Sequence, residues 1–241
     1  MRLLFIRHGD PNYEIDSLTP KGDREAQLLA ARIAPMEIKA YYVSPLGRAQ
    51  RTAAYTLQAA GRTAQVRDWL QEFDAFRVTE DGEKRWMWDR LPTDWTQFPE
   101  SFDKDRWLEL PDIRRGNAAE KHRAVVEGLD ALLASHGYER DGLLYRAAQP
   151  NGDTLALFCH FGVTCVMVGH LLGISPMVLW HGTAAAPTSV TELWTEERHP
   201  GIACFRMSKY GDVSHLYVAA EPPAFAGRFC EQYTNADERH D

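Results

Sequence analysis

Three residues near the start of the chain, Arg7, His8 and Gly9, close the apolar run Leu3-Leu4-Phe5-Ile6. An imidazole can act as a nucleophile, and a guanidinium is the natural partner of a phosphate. A second imidazole, His160, closes the run Leu155-Ala156-Leu157-Phe158-Cys159 in the same way. Both runs read as buried strands. Strands of a parallel sheet end on one side, so both rings are expected in the crevice where open α/β sheets bind ligands. Arg48 falls in the first turn of an expected helix, just after Ser44-Pro45. Free backbone N–H groups and the helix dipole favour an anion there, and a guanidinium adds a bidentate clamp. Glu72 follows an expected third strand and is a candidate proton donor to a leaving group. Each residue alone has a plainer reading, as a structural histidine, a solvated helix arginine or a surface carboxylate. Their placement at strand ends and helix starts is what makes them a candidate site.

The elements that must position these groups read as β and α in alternation. Thr19 is suited to cap a helix that opens at Pro20 and runs through Ala26, Leu29, Ala30 and Ile33. Tyr41-Tyr42-Val43 reads as a second strand, Leu46 to Ala60 as a second helix stopped by Gly61, and Ala64 to Trp69 as a third strand. Residues 119–136 form an amphipathic helix, and a further helix runs from Gly162 to Leu172, stopped by Gly173. Runs at Val190–Trp194, Ala203–Met207 and Ser214–Val218 read as strands of an antiparallel edge. The fold class expected is α/β, three layers (α/β/α) around a mostly parallel central sheet. It is read as a single domain over residues 1–241, interrupted by an inserted cap at about 74–118. That cap holds Trp86, Trp88, Trp95 and Trp107, four of the chain's seven tryptophans, with no helical or strand period. Irregular segments of this length are usually functional or poorly ordered. The polar tail Tyr233–Asp241 is expected to fray.

A net charge of -7 argues against nucleic acid or an anionic membrane as the partner. Four cysteines without a CxxC pair suit free thiols in a reducing compartment, and no secretory signal or membrane span is read, so a cytoplasmic location is expected. No cluster of carboxylates or His-x-His arrangement suggests a metal ion, and no cofactor is expected.

Arg7-His8-Gly9, Leu18-Thr19-Pro20-Lys21-Gly22 with Ala26-Gln27, and Ser44-Pro45-Leu46-Gly47-Arg48-Ala49 with Thr52-Ala53 resemble the histidine phosphatase superfamily. Leu70-Gln71-Glu72 is similar to that family's acid site, and Cys159-His160-Phe161-Gly162-Val163 to its second-histidine site. The resemblance covers most of the chain, the cap excepted. It implies a metal-independent phosphomonoesterase in which His8 becomes a phosphohistidine. Arg7, Arg48 and His160 would hold the phosphate oxygens, and Glu72 would be the general acid and base. The expected partner is a small phosphorylated substrate, with a phosphoprotein as the alternative. A phosphoglycerate-mutase-like phosphoryl transferase and a non-catalytic phospho-ligand binder stay open.

The chain departs from the family pattern at several points. Glu14 stands where many members place an asparagine. Phe73-Asp74-Ala75 replaces the Glu-Arg-His-Tyr-Gly run of the mutases, which favours hydrolysis. Phe161 replaces a glycine and is expected to narrow the pocket. Glu14, Phe161 and His181 are candidate pocket-rim residues, Asp74 is a competing acid, and His170 reads as structural. Sequence leaves the oligomeric state and the identity of the substrate undefined.

Overall fold

The computed structural model describes residues 1–238. Its centre is strand β1 (Arg2–Arg7), whose side chains alternate between two cores. Leu3 and Phe5 face one core and Leu4 and Ile6 the other, each at most 1% exposed. A strand buried on both faces must be apolar throughout, and this one is from Leu3 to Ile6. Its charged end, Arg7, therefore marks where the strand leaves the sheet.

Seven further strands complete the sheet: β2 (Ala40–Val43), β3 (Gln65–Val66), β4 (Tyr138–Asp141), β5 (Leu144–Ala147), β6 (Thr154–Cys159), β7 (Val190–His199) and β8 (Ile202–Asp212). The spatial order is β3-β2-β6-β1-β7-β8-β5-β4. From β3 to β1 the strands are parallel, with Arg7 opposite Cys159 across the β1–β6 pair. From β1 to β4 they are antiparallel. The α/β layering is as expected, and the antiparallel part is wider than a margin.

Helices α1 (Pro20–Ile33) and α2 (Gly47–Ala60) cover one face of the sheet with Leu29, Ile33, Ala49 and Ala53. Helices α3 (Ala118–Ser135) and α4 (Phe161–Leu172) cover the other with Leu129, Leu133, Val163 and Val166. Fully burying each of the leucines, isoleucines and valines among these is worth about 1.5–3 kcal/mol, so the layers hold by area rather than by any single contact. A short helix α5 (Pro176–Gly182), capped by Ser175, follows α4.

Two expectations change, and one element has no counterpart in the sequence reading. Ser214–Val218 is a helix, α6, and not a strand; Tyr217 and Val218 are exposed, and the Asp212 carboxylate accepts the Ser214 N–H at 2.8 Å to start the turn. The third strand shrinks to Gln65–Val66 because residues Asp68–Leu70 turn into a 3-10 helix. The β4–β5 hairpin had no strand signal: edge strand β4 carries Glu139, Arg140 and Asp141 in a row, and in β5, between β8 and β4, Leu144 and Arg146 are exposed while Tyr145 and Ala147 are buried.

Between residues 74 and 117 no strand joins the main sheet. A two-stranded ribbon, Phe76–Val78 with Lys84–Trp86, is followed by four short helical turns. Trp107 is fully buried and packs edge-on against Trp180 of α5 at 5.5 Å. Of the polar tail, residues 239–241 lie outside the described residues. In its described part the Glu238 carboxylate accepts the Glu231 N–H at 2.7 Å.

The loop after His8 is pressed against α1. Thr19 accepts the Gly22 N–H at 3.0 Å and donates to the Asp10 carboxylate at 2.7 Å. A Cβ on Gly22 would lie 2.3 Å from the Asp10 carbonyl oxygen, and one on Gly9 2.7 Å from the Gly22 carbonyl oxygen. In an ordinary helix glycine-to-alanine is stabilising by about 0.5–1 kcal/mol. Here the clash is with backbone, so Gly22→Ala is expected to destabilise by about 1–3 kcal/mol in urea unfolding. A stabilised variant would show that the loop and α1 are not held this closely.

Candidate active site

His8 and His160 follow adjacent parallel strands, and the His8 N–H donates to the Cys159 carbonyl at 3.0 Å. Their rings lie 5.1 Å apart between centroids, tilted by 58°. Nδ1 of His8 is 2.7 Å from the Gly9 carbonyl oxygen. A carbonyl only accepts, so Nδ1 carries the proton and Nε2 keeps its lone pair. Burial, then the Arg7 charge, holds the His8 pKa well below its ordinary value. His160 is held low by burial, then by His8 and the two arginines. Its Nε2 lies 2.8 Å from the Ser44 hydroxyl, and its Nδ1 is buried without a partner. The two rings are therefore neutral at neutral pH, one with a free lone pair and one with an unmatched ring nitrogen.

The arginines are placed by backbone. Arg7 is 7% exposed and donates through Nη1 to the carbonyls of Ala185 and Ala226, while its Nε has no partner. Arg48 stands in the first turn of α2, where Asp16 binds it at 2.5 Å with one oxygen and accepts the Gly47 N–H at 2.6 Å with the other. Asp16 thus satisfies the helix terminus and orients the guanidinium together. The Arg48 Nε is also buried without a partner.

Glu72 follows the turn after β3. Its Oε1 accepts from Phe73 N–H at 2.8 Å and Val163 N–H at 3.1 Å. Burial raises its pKa above the ordinary carboxylate value, against the pull of those donors and Arg7. Gly162 is required beside it, since a Cβ there would come 2.6 Å from Oε1 and 2.9 Å from the Trp88 ring. Asp74, the competing acid, is more than half exposed and pairs with Lys121 at 2.8 Å.

Arg7, Glu72, Phe161 and His181 line one cavity of about 690 Å³. His8, Arg48 and His160 are not among its walls, and Glu14 is exposed outside it, its N–H bonded to Asn12 at 3.1 Å. Tyr13 lines the cavity in place of Glu14 and lies 5.4 Å from the Arg48 guanidinium. Phe161 sits 5.9 Å from the Arg7 guanidinium. His170 bonds Asp130 at 2.9 Å, away from these groups. Sequence reasoning missed Asp16, Ser44, Arg90 and the C-terminal residues 226–230 as wall or support, whereas Trp88, one of the cap tryptophans, was open to a substrate-contacting role. Asp16 carried a local signal, a carboxylate in the loop that joins the histidine to a capped helix. The C-terminal residues carried none.

Two neutral histidines and two arginines gather at the carboxyl ends of parallel strands with a protonatable carboxyl beside them, an arrangement chemically able to hold an anion next to an imidazole lone pair. The model of the histidine phosphatase superfamily (branch 1) matches residues 3–207, and the chain belongs to that superfamily. Among solved structures, it is similar to phosphoserine phosphatase from Entamoeba histolytica in complex with phosphoserine (TM-score 0.56, 17% identity, 89% of this chain and 98% of that one). It is also similar to mycobacterial glucosyl-3-phosphoglycerate phosphatase (0.58, 17%, 87% and 98%) and the α-ribazole phosphatase of Shigella flexneri (0.54, 20%, 86% and 95%). No curated protein matches the chain. Among the described residues no group of three His, Cys, Asp or Glu side chains is placed to hold a metal, and no helix is long and apolar enough to cross a membrane.

Six histidines, His8, His122, His136, His160, His181 and His215, have pKa values lowered chiefly by burial, His122 and His215 to about 4. An unfolded chain takes up protons as pH falls through about 6.5, while the folded one does not. Folding stability is therefore lost as pH falls below about 6.5, opposed only by the raised carboxyls Glu25 and Glu72. Tm is expected to fall steadily between pH 7 and 4.5 in calorimetry; a flat or rising Tm would contradict the neutral, buried state of these rings.

Proposed function

We propose that this chain hydrolyses phosphate monoesters without a metal ion, by transfer of the phosphoryl group to Nε2 of His8. The observation that carries this reading is the fixed Nδ1–H of His8 on the Gly9 carbonyl, which leaves a lone pair in a site of two arginines. Nε2 attacks phosphorus as the ester P–O bond breaks, and Glu72 gives its proton to the departing alkoxide. Water then attacks phosphohistidine, the P–N bond breaks, and Glu72 takes the water proton back. Arg7, Arg48 and the unpartnered Nδ1 of His160 hold the phosphoryl oxygens as charge spreads over them. The raised pKa of Glu72 suits it to donate, and Asp74 is turned away to Lys121.

A cavity of about 690 Å³ with a wall from residues 88–95 favours a small phosphorylated molecule over a protein segment, and supports reading 74–118 as the substrate-facing cap of a single-domain enzyme. Four free cysteines suit the cytoplasm.

Phenyl phosphate turnover in the presence of EDTA tests the reading. His8→Ala is expected to lose at least about 1,000-fold in kcat, and EDTA to change nothing; abolition by EDTA would overturn the metal-free mechanism. Isomer interconversion that outpaces phosphate release would make the protein a mutase. Glu72→Gln is expected to cost about 100- to 10,000-fold on alkyl phosphates and far less on aryl phosphates. Equal loss on both would remove Glu72 as the acid.

A further inference from the structure

The cavity that Arg7 and Glu72 line also runs along residues 88–95 and α5, and that wall carries unmet hydrogen-bonding capacity. Arg90, in the segment between the ribbon and the helical turn Pro92–Trp95, is 8% exposed and lines the cavity. Its Nη2 donates to Asp112, which also pairs with Arg77 at 3.2 Å, and its Nε is 3.8 Å from Asp94. The charges of the two arginines are thus matched by two carboxylates. What Arg90 lacks is acceptors: its Nε and Nη1 are buried with no hydrogen-bond partner.

His181, from α5, lines the same cavity. Its Nδ1 is 2.8 Å from the Met177 carbonyl and must donate there, so Nε2 is left as an acceptor, and that atom also has no partner. The ring is kept neutral by burial, to which the Arg90 charge adds. His181 stacks on Trp95 at 5.1 Å and 28°. Trp88 lines the cavity beside Glu72, backed by Trp86 in a parallel stack at 6.0 Å.

The chemistry of this wall selects among ligands. A second phosphate or carboxylate would find the Arg90 charge already matched, a lone pair on His181, and the carboxylate-bearing Asp89 in the same wall. A hydroxyl gives what each group lacks, since it accepts from Arg90 and donates to His181. Ring carbons of a polyol suit the flat apolar face of Trp88, while Trp95, packed between His181 and Phe102, backs the His181 ring.

We propose that Arg90 and His181, with Trp88 beside them, form a distal subsite for the hydroxylated ring of a sugar phosphate. This rests on the phosphomonoesterase reading and adds to it the class of substrate body.

The test compares kcat/KM for glucose 6-phosphate and ribose 5-phosphate with cyclohexylmethyl phosphate, which keeps ring and phosphate but has no hydroxyls, and with O-phosphoserine, which adds charge. Wild type is expected to favour at least one sugar ester over both comparison esters by about tenfold or more, because buried polar groups reject an analogue that leaves them unpaired. Arg90→Gln and His181→Phe are each expected to bring that ratio to within about threefold of one. The second variant keeps the ring on Trp95, so it still reports if loss of Arg90 disturbs the cap. A preference for the cyclohexyl or phosphoserine ester in wild type, or a sugar preference that survives both variants, would overturn the subsite. Phenyl phosphate turnover reads the phosphoryl-transfer centre separately. If no ester turns over, the hydrolase reading is what has gone, and the same ligand ratios measured by calorimetry on His8→Ala protein still decide the subsite.

Discussion

The hydrogen bond from Nδ1 of His8 to the carbonyl of the next residue is the contact on which the rest of the site depends. It spans one peptide, so it costs little chain entropy, and it fixes both the tautomer and the direction of the ring. For it to form, the backbone after β1 must turn at Gly9 with the Gly22 carbonyl close against it, and the Gly9 N–H must reach the Thr52 hydroxyl at 2.9 Å. The sheet, α1 and α2 meet at that turn. Whatever holds those three elements together also holds the imidazole.

Burial and charge act in the same direction on that ring. Desolvation alone would keep a histidine neutral, and Arg7 and Arg48 add to it, so the lone pair is available at a pH where an exposed histidine would be partly protonated. The same burial acts oppositely on Glu72, holding its proton. One dry crevice thus holds an imidazole lone pair and a carboxyl proton side by side, as the proposed two-step phosphoryl transfer requires. The arginines are held by carbonyls and by Asp16 rather than by one another, which lets two like charges face one place.

The inner part of this site was legible from the sequence because its residues sit at ends of elements that local patterning marks. Arg7 and His8 close an unbroken apolar strand, His160 closes another, and Arg48 opens a helix after Ser-Pro. The two-core alternation of β1 follows from the same four residues. The outer part was not legible. Arg90 and His181 come from segments 91 residues apart, and the packing of Trp107 on Trp180 and of Trp95 on His181 brings the segment 74–117 against α5. The β4–β5 hairpin was hidden because an exposed edge strand need not show apolar alternation. Ser214–Val218 was misread because Tyr217 and Val218 favour strands in general, whereas Asp212 sets a helical turn locally.

The central claim is that phosphate passes through His8. Rapid mixing of the protein with excess phenyl phosphate, quenching in alkali and peptide mapping by mass spectrometry tests it most directly. The account predicts a phosphate stable to base and labile to acid, on Nε2 of His8 in the N-terminal peptide, that forms and decays as fast as turnover. Turnover with no covalent phosphate at His8, or phosphate carried on another residue, would contradict it.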